Sequence, residues 1–346
     1  MKRILVDARM VKAEGHGIGN YTLQMAEGLA EIQKTYELLY LVDKNLPADH
    51  PLRKQNHRDS QIPFLHALEP FRLGKEIMKF KPALYHSPSF ASLWSYPVPY
   101  VQTVHDLNHL HFGSALQKIY YATLLLPSLK KAKRILTVSE SSRAEISAWL
   151  KSQGVEKEIT LAENAIPLPK LPPNPDLLKR WQLRPGAYFL ALSNSKPFKN
   201  LAFLKAAYRK SGSKLPLVIS TKGESGEGIV HTGPLSEEEL ATLLPNASAI
   251  FFPSLYEGFG RPPLEGALAG TIPVVSDIAP HREVLRGVKE AVFLSPRESA
   301  DWEAIFQNPP AEKVSAESKR WIQETYPLQK LANAMHTIYM DALEQP

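Results

Sequence analysis

The chain has 346 residues, 44% hydrophobic and 22% charged, and carries a net charge of +6. That length exceeds one ordinary core and suits two domains of about 150 residues each; the composition is that of a soluble globular protein. No run of about 18 apolar residues is present to span a bilayer, and the absence of cysteine excludes disulfides, thiolate metal sites and a cysteine nucleophile.

Charge is uneven: residues 1–167 hold 21 Lys+Arg against 16 Asp+Glu, and the remainder 20 against 19. A basic first half suits an anionic partner such as phosphate, an acidic glycan or a lipid surface, or serves solubility alone. The opening "MKRILVDARM" passes straight from a basic pair into a strand pattern, without the apolar core of a secretion signal, so cytoplasmic residence is expected.

Short apolar runs then alternate with amphipathic stretches, which predicts parallel α/β architecture. In the first half the strands are "RILVDA", "ELLYLV", "ALYHSP", "PYVQTVHD", "RILTVS" and "ITLAEN". Helices are expected over "NYTLQMAEGLAEI", from Leu116 to Lys133, and over "SSRAEISAWLKS", where Ser142 and Glu145 have capping-box spacing. Five prolines between Ile166 and Asp176 stop regular structure and predict a stiff linker over 167–176. The alternation restarts with "AYFLALS", a helix over "NLAFLKAAYRK", "LPLVIST", "GIVHTG" and a helix over "SEEELATLL", where Ser236 and Glu239 repeat the capping signal. "SAIFFPS", "TIPVVSD" and "AVFLSP" follow, then helices near 311–324 and 328–343. Two domains result, 1–166 and 177–326, followed by the C-terminal segment 327–346. In open α/β sheets ligands bind beyond the carboxyl ends of the strands, so functional residues belong in the loops that follow them.

One such loop is "YEGFGRPPLEGALAG". Gly258 and Gly260 let the backbone approach a ligand closely, and Pro262 and Pro263 suit a first helical turn. A helix start favours a phosphate or diphosphate. Beside that anion, the ionised Glu257 and Glu265 suit neutral hydroxyls, each accepting two hydrogen bonds from a sugar or ribose. One carboxylate on each side of a diphosphate describes a nucleotide sugar.

The segment "FFPSLYEGFGRPPLEGALAGTIPVVSD" resembles the signature of the large retaining glycosyltransferase family of GT-B fold, whose E-x7-E hallmark is met by Glu257 and Glu265. The resemblance covers nearly the whole chain. It implies two Rossmann-like domains with parallel sheets facing a central cleft, the last helix packing back on the first domain. It implies donor contacts from Gly17 and Gly19 in "EGHGIGNYT", and from Glu257, Gly258, Phe259, Gly260 and Glu265. It also implies a histidine beside the donor sugar, carried here by His105 in "TVHDLNHLH". The diphosphate falls to Lys196 and Lys199 in "SNSKPFKNL", where Lys196 stands in place of the family's arginine and loses its fork-like contact. Asn164 in "AENAIP" matches a junction segment that usually reads P-N-G, so Glu163 and Ala165 depart from it.

The implied activity is transfer of a hexose from a nucleoside diphosphate sugar to a glycan or lipid-linked acceptor hydroxyl, with retention, in bacterial surface polysaccharide assembly. Catalytic roles fall to His105, Glu257, Lys196 and Lys199, with no metal and no cofactor beyond the donor. Front-face attack is implied, in which the leaving phosphate takes the acceptor proton. A nucleotide-sugar epimerase, or a silent relative that only binds the nucleotide sugar, shares these features. The Rossmann fingerprint fails at Asn20, which disfavours an NAD enzyme, and no nucleic-acid module appears. His109 and His111 form an H-x-H pair with no third ligand evident. His281 and Glu283 are read as packing and capping the next helix. The leucine-rich stretch before Lys130, Lys131, Lys133 and Arg134 either contacts an anionic membrane as a peripheral surface or buries its apolar face in the first domain.

Overall fold

The computed structural model describes residues 1–12, 17–32, 35–168 and 171–344. The chain folds as two units, Met1–Ala165 with Leu328–Pro346, and Ile166–Pro327. Among the described residues no helix is long and apolar enough to cross a membrane.

The first unit is built on seven parallel strands, β1 (Lys2–Asp7), β2 (Tyr36–Asp43), β3 (His57–Ser60), β4 (Leu84–Ser87), β5 (Tyr100–Thr103), β6 (Arg134–Thr137) and β7 (Ile159–Leu161). Their order is β3-β2-β1-β4-β5-β6-β7. Strands β1, β4, β5 and β6 are almost wholly buried, which is why they read as continuous apolar runs. The polar edge strand β3, "HRDS", and the helix Glu69–Lys79 carry no such run and are additions to the sequence reading.

Two expectations here need correction. The stretch from Leu116 to Lys133 is not one helix: Ala115–Tyr120 leads through a π turn, Tyr121–Leu125, into Leu126–Lys131. The later helix begins at Glu140, and its cap is Ser139, whose Oγ accepts from Ser142 N–H at 3.0 Å. Glu145 instead pairs with His111.

The last helix, Leu328–Glu344, buries Leu331, Ala332, Met335, Ile338, Tyr339 and Ala342, a stripe of helical period. That stripe returns to the first unit. Tyr36 Oη meets His336 Nδ1 at 3.0 Å, and Tyr339 Oη meets His86 Nδ1 at 2.7 Å. Gly28 allows the approach, because a Cβ there would lie 2.9 Å from Ala332 Cβ.

The second unit repeats the plan with β8 (Phe189–Ala191), β9 (Leu217–Ile219), β10 (Ile229–His231), β11 (Ala249–Phe252), β12 (Ile272–Ser276) and β13 (Val292–Leu294), all parallel, in the order β10-β9-β8-β11-β12-β13. Phe251 stacks on Phe306 with ring centroids 4.4 Å apart, and Phe189 meets both edge-on. This aromatic cluster fixes β8 and β11 beneath the helix Ser299–Gln307. The capping box at Ser236 and Glu239 forms as expected. Of the proline stretch, Pro169 and Lys170 lie outside the described residues. Its end turns into a 3-10 helix, Pro175–Trp181, capped by the Asn174 side chain.

Candidate functional site

In the second sheet the chain winds outward from β8 in one direction and from β11 in the other, so the switch point lies between these two strands. Loops leaving the carboxyl ends of such a strand pair diverge and open a crevice. The loop after β8 carries Lys196 and Lys199, and the loop after β11 carries Glu257, Gly258, Phe259 and Gly260.

The two loops are tied together. Leu255 N–H donates to the Phe198 carbonyl at 2.7 Å, and Lys199 Nζ lies 2.6 Å from Glu257 Oε1. The pair is mostly enclosed, with side-chain exposures of 20% and 13%. Phe198 is buried and forms the floor, its ring 5.5 Å from Lys199 Nζ and 5.8 Å from Lys196 Nζ, within cation–π range. Burial acts to raise the Glu257 pKa. The charge of the Lys199 ammonium, the electrostatic influence of the nearby His281 ring and hydrogen bonds from Lys199 and Ser254 outweigh it, and the group is held below the usual carboxylate range. Lys199 and Glu257, expected on different parts of a donor, are therefore partners of each other.

The helix Arg261–Ala269 starts from Gly260, whose φ of 93° lies in the left-handed region. Its first turn contains Pro262 and Pro263, so two of its leading positions have no N–H to offer an anion. The cation Arg261 occupies the first helical position instead. Its Nη2 lies 3.0 Å from Glu265 Oε1, one turn on. A cation at the positive end of a helix dipole is the unfavourable arrangement, and Arg261 had no role in the sequence reading. The Phe259 side chain is buried against Tyr326, ring centroids 5.5 Å apart.

His281, in the helix Ala279–Val284, lies fully buried behind this loop. Its Nδ1 is 2.9 Å from the Ser276 carbonyl, and its ring edge faces Gly260, where a Cβ would lie 3.2 Å from Cδ2. Burial pushes its pKa below the usual histidine range, against the pull of Glu257.

The remaining expected residues belong to the first unit. Gly17 and Gly19 fall inside the first turn of the helix Gly17–Ala30 rather than in a loop before it; Glu14, Gly15 and His16 of the same motif lie outside the described residues. His105 follows β5, is partly buried, packs edge-on to Tyr21 at 4.9 Å, and has Nε2 3.0 Å from the Pro88 carbonyl. A carbonyl only accepts, so that nitrogen carries the proton. Asn164 is buried near the end of the unit, and Glu163 pairs with Lys330 at 2.6 Å. His109 meets Tyr121 Oη at 3.2 Å while His111 meets Glu145, so the two histidines have separate partners. Among the described residues no group of three or more His, Asp or Glu is arranged to hold a metal ion.

Residues 15–169 match the family described as Glycosyltransferase Family 4, and residues 192–322 match Glycosyl transferases group 1. The O-antigen chain mannosyltransferase RfbU of Salmonella typhimurium (strain LT2) is 29% identical over 222 residues, 60% of this chain and 59% of that protein's length. The O-antigen chain mannosyltransferase B of Escherichia coli is 26% identical over 82% of this chain and 84% of its own. Among solved structures, Anabaena Alr3699/HepE in complex with UDP and glucose aligns over 99% of this chain and 100% of that one, with a TM-score of 0.76 at 13% identity. With a family match to each half and this fold across its length, the chain belongs to the group 1 glycosyltransferases and has their two-domain α/β GT-B fold.

Proposed function

We propose that this protein is a retaining, metal-independent hexosyltransferase. It moves a hexose, mannose first among the candidates, from a nucleoside diphosphate sugar to a hydroxyl of a glycan or lipid-linked acceptor in bacterial surface polysaccharide assembly. The O-antigen mannosyltransferases among its relatives support the sugar and the pathway class. The observation that carries the reading is the charge arrangement at the second sheet's switch point. Lys196 and Lys199 flank the Phe198 ring in the loop after β8, Lys199 pairs with Glu257 in the loop after β11, and Arg261 pairs with Glu265 on the helix that follows. A cation set against a helix dipole is explained by an anion that both attract, and a diphosphate is that anion.

The anomeric C–O bond to the diphosphate breaks as the acceptor oxygen attacks from the same face, and the acceptor proton passes to the leaving phosphate oxygen. Lys196, Lys199 and Arg261 stabilise the charge that develops there. Glu265 holds the ribose hydroxyls and Glu257 the hexose; Gly258, Phe259 and Gly260 offer backbone to the donor. His105, Gly17 and Gly19 keep the roles that the family resemblance gives them. Glu265→Ala should weaken nucleoside diphosphate affinity about 10- to 100-fold, the scale of lost hydrogen bonds to a charged group. Calorimetric titration with GDP and UDP measures this, and parental affinity would remove Glu265 from the site.

A cytoplasmic location at the inner membrane face completes the reading. Leu124, Leu125, Leu126 and Leu129 are buried in the first unit, but Leu116 and Ile119 are 75% and 56% exposed on one side of their helix. Residues 77–139 hold seven Lys+Arg and one acidic residue, Asp106, a balance suited to anionic lipid. The protein should float with acidic vesicles, more weakly with neutral ones, and hardly at all after Leu116→Glu with Ile119→Glu. Equal flotation of the variant would remove the contact.

A further inference from the structure

Among the described residues three buried side-chain polar atoms lack a hydrogen-bond partner, and one of them, His281 Nε2, borders the candidate site. The other two, Tyr40 Oη and Thr137 Oγ1, belong to the first unit. The state of that nitrogen follows from the other one. Nδ1 faces the Ser276 carbonyl at 2.9 Å, which can only accept, so Nδ1 carries the proton and the neutral ring presents a bare lone pair at Nε2. Burial disfavours the charged form and keeps the ring neutral. An unmatched buried acceptor costs stability, and an apolar side chain of similar size avoids that cost.

Nε2 lies beside the loop that carries Glu257. A Cβ on Gly260 would lie 3.2 Å from His281 Cδ2 and 3.6 Å from Nε2, so the ring edge rests directly on this residue. Behind the ring, Ser276 Oγ donates to the Ser254 carbonyl, and Ser254 in turn hydrogen-bonds Glu257. The imidazole is thus anchored through Nδ1 and unmatched at Nε2, with its ring edge against Gly260.

We infer that His281 is a positioning residue whose Nε2 accepts a backbone N–H from the Gly258–Arg261 turn as that turn closes around a bound diphosphate. This rests on the donor site proposed above. The glycine at 260, lacking a side chain and already in the left-handed region, lets the backbone come within reach of the ring. The hydrogen bond stabilises only the closed turn, so it contributes to ligand binding and not to the ligand-free fold.

The test compares wild type, His281→Leu and His281→Gln by thermal unfolding without ligand, and by titration with GDP, UDP and their hexose esters. His281→Leu should unfold at or above the wild-type temperature. Ser276 O keeps a partner in Ile278 N–H at 2.9 Å, and the unmatched acceptor is gone. Its affinity for the preferred nucleoside diphosphate should fall about five- to tenfold, the scale of one hydrogen bond, and His281→Gln should recover part of that. Because the proposed donor is the turn, the loss should be the same with and without the hexose. Wild-type affinity in His281→Leu overturns the inference, as does a loss confined to the hexose esters. Equal loss of stability and affinity in both variants identifies a packing role and also overturns it. Failure of the wild type to bind any of these nucleotides sinks the donor site itself, and this inference with it.

Discussion

Glu257→Gln is expected to leave the protein folded and lower its turnover on the order of 100-fold, with a much smaller effect on nucleotide affinity. Glutamine keeps the shape and one acceptor oxygen but not the charge that holds Lys199 at 2.6 Å. The carboxylate's depressed pKa means that it is ionised at neutral pH, so a full charge is removed. Two consequences separate in measurement. The Lys199 ammonium, 20% exposed, loses its counter-charge. Fully buried pairs cost about 3–5 kcal/mol when one partner is deleted, and partial hydration here reduces that to about 1–3 kcal/mol. The catalytic loss has another origin: an unpinned Lys199 and a sugar without its acceptor drift from reactive geometry, and misplacement of about 1 Å can cost a hundredfold. Steady-state kinetics should therefore show kcat falling with KM little changed. Adding Lys199→Met should cost far less than its effect in the parent, because the two side chains act as one unit. Parental turnover in Glu257→Gln would remove this carboxylate from the reaction.

Why Glu257 and Glu265 could be read from the sequence while their partners could not is a matter of range. The loop, its glycines, the paired prolines and the helix start all fall within fifteen residues, and each is a local backbone signal. Lys199 was legible as a cation after a strand, but its pairing across 58 residues depends on two loops meeting at one switch point. Arg261 carried no role in the sequence reading, because only the helix boundary makes it the first residue of a helix, reaching forward to Glu265. His281 reads as a packing residue from its neighbours, and it does pack; that one nitrogen is left unmatched depends on the Ser276 carbonyl and on Gly260, which no local pattern encodes. The fold divides the same way. The buried strands are apolar runs and were legible, whereas β3 is a polar edge strand held in place by β2. Ser142 and Glu145 have the right spacing for a cap, yet the chain used Ser139, whose extended backbone meets the helix first.

Gly266→Ala should lower the unfolding temperature by roughly 3–10 °C and weaken donor binding, although alanine is the better helix former by about 1 kcal/mol. The reason lies in how the helix Arg261–Ala269 rests on β11. A Cβ at Gly266 would come 2.8 Å from Ile250 Cγ2 and 3.2 Å from Cδ1. Ile250 is fully buried and paired on both sides, with Leu190 of β8 and Pro273 of β12, so its backbone is held. A β-branched side chain also has few alternative rotamers. The helix must therefore lift from the sheet, at the cost typical of overpacking, about 1–3 kcal/mol, which in a domain of this size corresponds to the stated shift. Gly260 and Gly270 bound the helix at φ values of 93° and 101°, so both ends are fixed and the displacement passes into the loop that carries Glu257. Gly226→Ala is the matching control, since a Cβ there meets nothing within 4 Å. Calorimetric unfolding together with nucleotide titration decides the matter: if Gly266→Ala matches the control in both, the close seating of this helix on β11 is not what holds the carboxylates and cations in register.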